Sequence, residues 1–360
     1  MKSSDTHLDS KNNFDLIRFV LASIVVLVHA QAVSGNSTLP FTTYLSGSVA
    51  VQGFFVISGL LIVQSYERSS NLGRYALKRI RRIYPAYIFI ILASAGLGLF
   101  LTTRTVSDYF GISLLRYLFF NLVFLNFAQD SLPGVFSQNP VMDVVNGALW
   151  TLKVEVAFYI IAPILVSLIR RFRAVPVLLT MYFGGACVYL IGEYLAAKTG
   201  QFLFHQIGRQ LPGQAAYFAV GVAAYYISKN RRLPPLPMFG VGLALFILSA
   251  TAGGDLAYAI IRPLALGLIV LGLGYAYYLG NFGKYGDFSY GIYIVHFPII
   301  QTLLHFGFFQ DPLIYTLASY GLALGASIGL WHGIEKHFLR SSSHYRRVEH
   351  DVSSLESPTG

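Results

Sequence analysis

The chain has 360 residues, of which 55% are hydrophobic and only 12% are charged, and its mean hydropathy is +0.58. No soluble core of this size needs so apolar a composition, so the soluble classes are excluded and a membrane protein is predicted. The formal net charge is +10, but the basic residues cluster at the ends of apolar runs, as topology signals do. Nucleic acid is therefore not predicted as a partner.

Apolar runs recur along most of the chain, and a helix needs about twenty such residues to cross the hydrocarbon core. They predict an all-α fold, a polytopic membrane helix bundle of ten transmembrane helices. The predicted limits are 14–34, 44–66, 83–102, 146–169, 175–195, 213–228, 236–252, 257–279, 288–306 and 313–332. We expect one membrane domain, 14–340, between a cytoplasmic N-terminal tail, 1–13, and a cytoplasmic, disordered C-terminal tail, 341–360.

Basic clusters predict the orientation. They follow the second, fourth, sixth and last spans, and comprise Arg68, Arg74, Lys78, Arg79, Arg81 and Arg82; Arg170, Arg171 and Arg173; Lys229, Arg231 and Arg232; and Arg340, Arg346 and Arg347. If the spans alternate in direction, all of these clusters fall on one side of the membrane. Cytoplasmic connections carry the excess of Lys and Arg, so both termini are predicted to be cytoplasmic.

The first span carries an arginine and a histidine, Arg18 and His29, within its apolar sequence. A charge inside the membrane costs roughly 3 kcal/mol or more, which makes such a residue a functional-site hypothesis. Eleven residues of helix amount to three turns plus about 20°, so both side chains share one face about 16 Å apart. The alternatives are a structural histidine and an arginine that extends to the interface. A cleaved signal peptide is disfavoured by Asp15 and Arg18 in its apolar region.

The second span and the basic stretch after it hold further candidates. Ser58 can hydrogen-bond inside a bundle, although packing alone explains most of that span. Arg79 and Arg82 lie three residues apart, on one face of a helix at the cytoplasmic surface. Such a pair can bind phosphates, and a topological role or contact with anionic lipid explains the pair equally well.

The longest connection, 103–145, includes an apolar stretch from Tyr117 to Phe127 that Asn121 and Asn126 interrupt. This pattern predicts a re-entrant or interfacial segment on the outer side, with an additional span as the alternative.

The fourth and ninth spans each carry buried polar residues. Glu155 lies in an otherwise apolar helix and needs a partner or a proton, for which Arg18 and His29 are the candidates. In the ninth span, Tyr293 and His296 are three residues apart and share one helix face.

Two other arrangements are not supported. His332 and His337 lie about 140° apart around a helix, so their grouping with Glu335 does not predict a metal site. Ser58, His29 and Glu155 include the residue types of a catalytic triad, but no elbow motif orders them.

Five motifs in order resemble acyltransferase family 3, the integral-membrane acyltransferases of bacterial surface polysaccharides, lipopolysaccharides and related glycosides. The motifs are Arg18 with His29; Phe54-Phe55-Val56-Ile57-Ser58-Gly59; Arg79 and Arg82 before Tyr84-Pro85; Trp150-Thr151-Leu152 leading to Glu155; and Ser289-Tyr290-Gly291-Ile292-Tyr293-Ile294-Val295-His296-Phe297-Pro298. Each motif is weak alone, and the five together are fairly specific.

The resemblance implies an enzyme of the bacterial inner membrane that transfers an acyl group, usually acetyl, from cytoplasmic acyl-CoA to a sugar hydroxyl. Acyl-CoA is then a co-substrate, and no tightly bound cofactor is expected. The resemblance implies that His29 is the essential histidine and Arg18 its partner. We expect the phosphates to dock near Arg79 and Arg82, and the acyl arm to pass Arg18 towards His29.

In this hypothesis His29 acts as a general base or accepts the acyl group transiently. Glu155 balances the charge of His29 or Arg18, and Ser58, Tyr293 and His296 line the cavity. The alternative function is a secondary transporter or flippase that uses the buried Arg, His and Glu as a proton relay. No broken-helix pair recurs in the two halves of the sequence, which disfavours transport. The oligomeric state is not predicted.

Overall fold

The computed structural model describes residues 11–35, 39–140 and 143–339. Throughout this part of the chain the regular elements are helices and no strand occurs, which confirms the predicted all-α class. In chain order they are α1 (Phe14–Ser34), α2 (Gly47–Glu67), α3 (Leu72–Leu101), α4 (Val106–Tyr109), α5 (Ile112–Leu122), α6 (Trp150–Phe172), α7 (Ala174–Thr199), α8 (Phe202–Arg209), α9 (Leu211–Ser228), α10 (Pro235–Thr251), α11 (Gly254–Tyr275), α12 (Phe288–His305), α13 (Pro312–Leu330) and α14 (Lys336–Phe338). A π-helical turn, Trp331–Glu335, joins α13 to α14.

Seven of the described helices are long and apolar enough to cross a membrane, namely α1, α2, α3, α6, α7, α11 and the continuous helix Pro312–Phe338. The chain is therefore an integral membrane protein. The remaining three predicted spans coincide with α9, α10 and α12. Of these, α10 has 17 residues, and α9 and α12 contain tyrosine and glutamine side chains that lower their hydropathy. Ten crossings, and the cytoplasmic termini, remain predictions.

The helix that contains the third predicted span, 83–102, is longer than that span, because α3 begins eleven residues earlier, at Leu72. The side-chain oxygen of Asn71 accepts a hydrogen bond of 2.8 Å from the backbone N–H of Arg74 and so caps the first turn. The basic stretch that contains Arg79 and Arg82 is therefore part of the same continuous helix as the apolar span.

The long connection between α3 and α6 forms two short helices, α4 and α5. With 11 residues, α5 is too short to cross the membrane, so the additional span is excluded. The two interrupting asparagines are buried. Asn126 donates to the hydroxyl of Tyr87 on α3 at 2.9 Å, and that hydroxyl donates to the carbonyl of Asn121 at 2.7 Å. These bonds hold the segment against α3.

The chain divides into two compact units. The first comprises Met1–Ile17, Val51–Ala76 and Val154–Asn281, and the second Arg18–Ala50, Leu77–Lys153 and Phe282–Gly360, as far as these residues are described. The predicted C-terminal tail, most of the predicted N-terminal tail, and Arg340, Arg346 and Arg347 lie outside the described residues.

Close helix packing characterises the first unit. A Cβ atom at Gly59 would collide with the carbonyl oxygen of Phe218, and one at Gly221 with that of Val56, so α2 and α9 are in backbone contact. In the second unit the least exposed long helix is α12, whose buried residues include Tyr293 and His296. This helix supplies most of the candidate site.

Candidate functional site

Two residues of α1 contact two residues of α12 within the second unit. The guanidinium of Arg18 donates to Asp287, which immediately precedes α12, at 2.6 Å. His29 makes a ring-to-ring hydrogen bond of 2.8 Å with His296. Arg18 and His29 therefore both contact α12 or the residue that caps it, as expected for residues on one helix face.

At the first contact point lies a charged cluster of Arg18, Arg82, Asp287 and Glu335. Arg82 donates one N–H to the same Asp287 oxygen that Arg18 contacts, and a second N–H to Glu335 at 3.1 Å. The carboxylates are 2% and 3% exposed. Two guanidinium groups thus balance two carboxylates, which is the condition under which buried charges are tolerated.

Local structure explains the position of Asp287. It is the N-cap of α12, and its first oxygen accepts hydrogen bonds from the backbone N–H of Ser289, at 3.1 Å, and from the Ser289 hydroxyl. This capping leaves the second oxygen for the two arginines. Glu335 reaches the cluster from the π-helical turn, a distortion that occurs frequently at functional sites.

The second contact point is a histidine pair, His29 and His296. The Nδ1 atom of His29 lies 2.8 Å from Nε2 of His296, and Nδ1 of His296 lies 3.2 Å from the carbonyl oxygen of Ile292. Only an N–H can bond to that carbonyl, so in the neutral pair the proton of His296 is on Nδ1 and its Nε2 accepts. His29 then donates from Nδ1, and its Nε2 carries a lone pair.

Aromatic rings surround the pair and limit its motion. The ring centroid of Phe297 lies 5.5 Å from that of His29, and the Tyr293 centroid lies 5.9 Å from that of His296. The Tyr293 hydroxyl shares a hydrogen bond of 2.6 Å with the hydroxyl of Thr151. Gly147 makes room for Phe297, because a Cβ atom there would lie only 2.8 Å from that ring. The predicted Tyr293–His296 neighbourhood is therefore present.

Two other predicted site residues, Glu155 and Ser58, belong to the first unit, where the Tyr159 hydroxyl donates to Glu155 at 2.6 Å. Arg18 has Asp287 as its carboxylate, and a charge-balancing role for Glu155 remains a prediction. Arg79 lies on α3, one turn before Arg82, and phosphate binding by these two arginines also remains a prediction.

Sequence reasoning missed two residues of the charged cluster. Asp287 was not considered, and Glu335 was weighed only as a metal ligand, whereas it bonds to Arg82. The sequence does contain a signal for Asp287, since an aspartate two residues before a serine at the start of an apolar run is typical of a helix N-cap.

Comparisons with known proteins give a consistent result. A family model described as an acyltransferase domain matches residues 11–332. The "O-acetyl transferase" of Shigella phage Sf6 is 28% identical over 93% of this chain and 98% of that protein. "Nodulation protein 10" of Rhizobium leguminosarum bv. viciae is 28% identical over 91% of this chain and 92% of its own length. No solved structure matches.

Proposed function

The chain belongs to the acyltransferase family whose model spans residues 11–332, and we propose that it is an O-acetyltransferase that uses cytoplasmic acetyl-CoA to acetylate a hydroxyl of a surface glycan or other glycoside. Because the chain belongs to this family and has helices long enough to cross a membrane, it is a membrane acyltransferase. The observation that carries the finer proposal is the histidine pair, which gives His29 a defined tautomer with one basic nitrogen.

The proposed chemistry starts at Nε2 of His29. This nitrogen takes the proton of the acceptor hydroxyl while the hydroxyl oxygen attacks the thioester carbonyl. The new ester C–O bond forms, the C–S bond breaks, and CoA leaves as a thiol after it takes up the proton. In the covalent alternative, the same nitrogen first attacks the thioester carbonyl, and the C–S bond breaks to release CoA as a thiolate. The acceptor hydroxyl then attacks the acyl-histidine, the C–N bond breaks, and the hydroxyl proton passes to the thiolate. His296 is a positioning residue in either route, because it acts through His29.

The charged cluster fits the path of the donor. Arg18 and His29 are separated by about 16 Å along α1, a distance that an extended pantetheine arm can cover. Arg82 is already balanced by Asp287 and Glu335, so the phosphates require further positive charge. Arg79 on the preceding turn of α3, together with Lys78 and Arg81, supplies it in this proposal.

The name of one relative supports the choice of an acetyl group. The phage relative carries the name O-acetyl transferase, and the second relative is a nodulation protein. We assign the protein to a bacterial inner membrane, with the acceptor as a polysaccharide, a lipid-linked oligosaccharide or a glycoside. Tyr293 and His296 are proposed to border the acceptor path.

The decisive experiment measures free CoA released from acetyl-CoA by the purified protein in nanodiscs, with a panel of lipid-linked and soluble glycans. The wild type and a His332→Ala control, which alters an exposed histidine, are expected to release CoA in the presence of an acceptor. His29→Ala is expected to release none while it remains folded. Equal turnover by His29→Ala would refute the role of His29, and proton-driven flux without CoA release would favour transport.

A further inference from the structure

The first unit contains a second polar group of residues that the proposed chemistry does not use. This outer polar cluster consists of Gln52, Tyr189, Tyr217, Tyr258 and Arg262, contributed by α2, α7, α9 and α11. The Gln52 amide donates to the Tyr258 hydroxyl at 2.9 Å. The rings of Tyr258 and Tyr189 stack with centroids 5.0 Å apart, and the Arg262 guanidinium lies 4.7 Å from the Tyr258 centroid. Tyr217 interacts electrostatically with Tyr258, Arg262 and Tyr189.

Three polar atoms of this cluster are buried without a hydrogen-bond partner among the described residues: Oε1 of Gln52, the hydroxyl oxygen of Tyr217 and Nε of Arg262. Gln52 and Tyr217 are each only 3% exposed. Exchanging the oxygen and nitrogen of the Gln52 amide would leave its other polar atom unpaired, so the result does not depend on how the amide is oriented.

Single unpaired atoms also occur at Gln210, Gln214 and Tyr275 of the same unit, whereas the Glu67 carboxylate is fully paired. The Glu67 carboxylate accepts hydrogen bonds from Tyr225 at 2.9 Å, from Tyr226 at 3.0 Å, and from Lys229. Burial of polar atoms without partners is unfavourable, and a group of such atoms in one place requires an explanation, of which a bound ligand is one. The outer polar cluster leaves three such atoms, on three different helices, unpaired.

The cluster lies near one end of its helices. Gln52, Tyr217, Tyr258 and Arg262 all fall within the first half of their helices, and Tyr189 lies past the middle of α7. Arg262 is eight residues from the start of α11, which corresponds to a depth of about 12 Å. The topology predicted from the basic clusters places these ends of the helices on the outer side of the membrane.

We propose that the outer polar cluster binds one pyranose ring of the saccharide acceptor. The unpaired atoms provide an acceptor at Gln52, a donor at Arg262, and a group at Tyr217 that does both, which suits the hydroxyls of a neutral sugar. The tyrosine rings offer apolar faces to the C–H groups of the same ring. The identity of the ligand as acceptor rests on the proposed function, whereas the binding chemistry follows from the cluster itself.

Binding is tested without turnover by titrating methyl pyranosides against the protein in nanodiscs and recording saturation-transfer NMR. We expect saturable binding of at least one glycoside to the wild type. Tyr217→Phe, which removes only the unpaired hydroxyl, and Gln52→Leu are each expected to weaken it about tenfold, the loss typical of one such hydrogen bond. The matched control is Tyr182→Phe, because the Tyr182 hydroxyl already donates to the Ile260 carbonyl at 2.5 Å. Its glycoside affinity should equal that of the wild type.

Thermal unfolding without glycoside separates a binding role from a structural one. Loss of an unpaired hydroxyl should leave the Tm of Tyr217→Phe equal to or above that of the wild type, whereas Tyr182→Phe should lower it. The inference is overturned if no glycoside saturates the wild type, if the variants bind equally well, or if Tyr217→Phe unfolds at a lower temperature. The glycoside titration contains no acetyl-CoA, so its outcome is independent of the CoA-release assay. Failure of CoA release would refute the proposed function, whereas the measured glycoside binding would remain valid.

Discussion

The charged cluster and the histidine pair both connect α1 with α12 or its cap, yet the first consists of ion pairs and the second of one hydrogen bond between two rings. In the charged cluster, both Asp287 oxygens accept hydrogen bonds and two arginines balance two carboxylates. In the histidine pair, a directional bond between neutral rings leaves Nε2 of His29 with a lone pair. Paired buried charges stabilise a fold, whereas a basic nitrogen with a lone pair can accept a proton or an acyl group. We therefore assign stability chiefly to the charged cluster and chemistry to the histidine pair.

The largest effect is expected for His29→Asn. The asparagine amide can still donate to His296, but it has no basic nitrogen, so kcat for acetyl transfer should fall about a thousandfold. The unfolding temperature should change little. Steady-state CoA release and thermal unfolding measure the two quantities. A variant that keeps a tenth of the wild-type kcat would show that His29 is a structural residue.

The second effect is on stability. Asp287→Asn leaves three charges in the cluster, with a net charge of +1, and an unbalanced buried charge destabilises by about 3–5 kcal/mol. Asparagine still caps a helix, so the loss is not a capping effect. Asp311→Asn is the matched control, since Asp311 caps α13 from an exposed position. Unfolding in nanodiscs should separate the two variants, and equal stabilities would contradict the assignment.

The third effect concerns His296. His296→Phe removes the atom that accepts from Nδ1 of His29, so His29 loses its fixed tautomer. We expect kcat to fall about tenfold to a hundredfold, as for other residues that orient a catalytic group, while KM for acetyl-CoA stays constant. His296→Gln retains an acceptor and should recover part of the rate. Equal rates for the two variants would exclude a positioning role.

The smallest effect is expected for Arg82→Lys. Lysine keeps the charge but lacks the planar fork that reaches Asp287 and Glu335 together. The loss of one charge-assisted bond should cost roughly 2 kcal/mol of unfolding free energy. The control is Arg81→Lys, at a position rotated by about 100° around α3. Chemical denaturation of both variants measures the difference in unfolding free energy. An Arg82→Lys variant as stable as the wild type would show that a bond to one carboxylate is enough for stability.

Much of the helical framework was predictable because apolar length is a local property of the sequence. The start of α3 was missed because its first turns are basic, and a search for apolar runs does not detect the cap at Asn71. The shared face of Arg18 and His29 followed from helical periodicity alone.

The partners of those residues could not be predicted in the same way. Asp287 is 269 residues from Arg18, and His296 is 267 residues from His29. Periodicity places residues around one helix but does not tell which helices pack together. For that reason Glu155 was proposed as the charge partner of Arg18, although the carboxylate in contact is that of Asp287.

The two contact points also require the intervals between them, Arg18 to His29 and Asp287 to His296, to have matching lengths. His29 lies about 16 Å beyond Arg18 along α1, and His296 lies about 13 Å beyond Asp287 along α12, so the helices run in the same direction and the long arginine side chain covers the difference. Inserting or deleting one residue inside either interval would turn its far end by about 100° and separate one contact while the other remained. The two contacts therefore fix the number of residues in each interval.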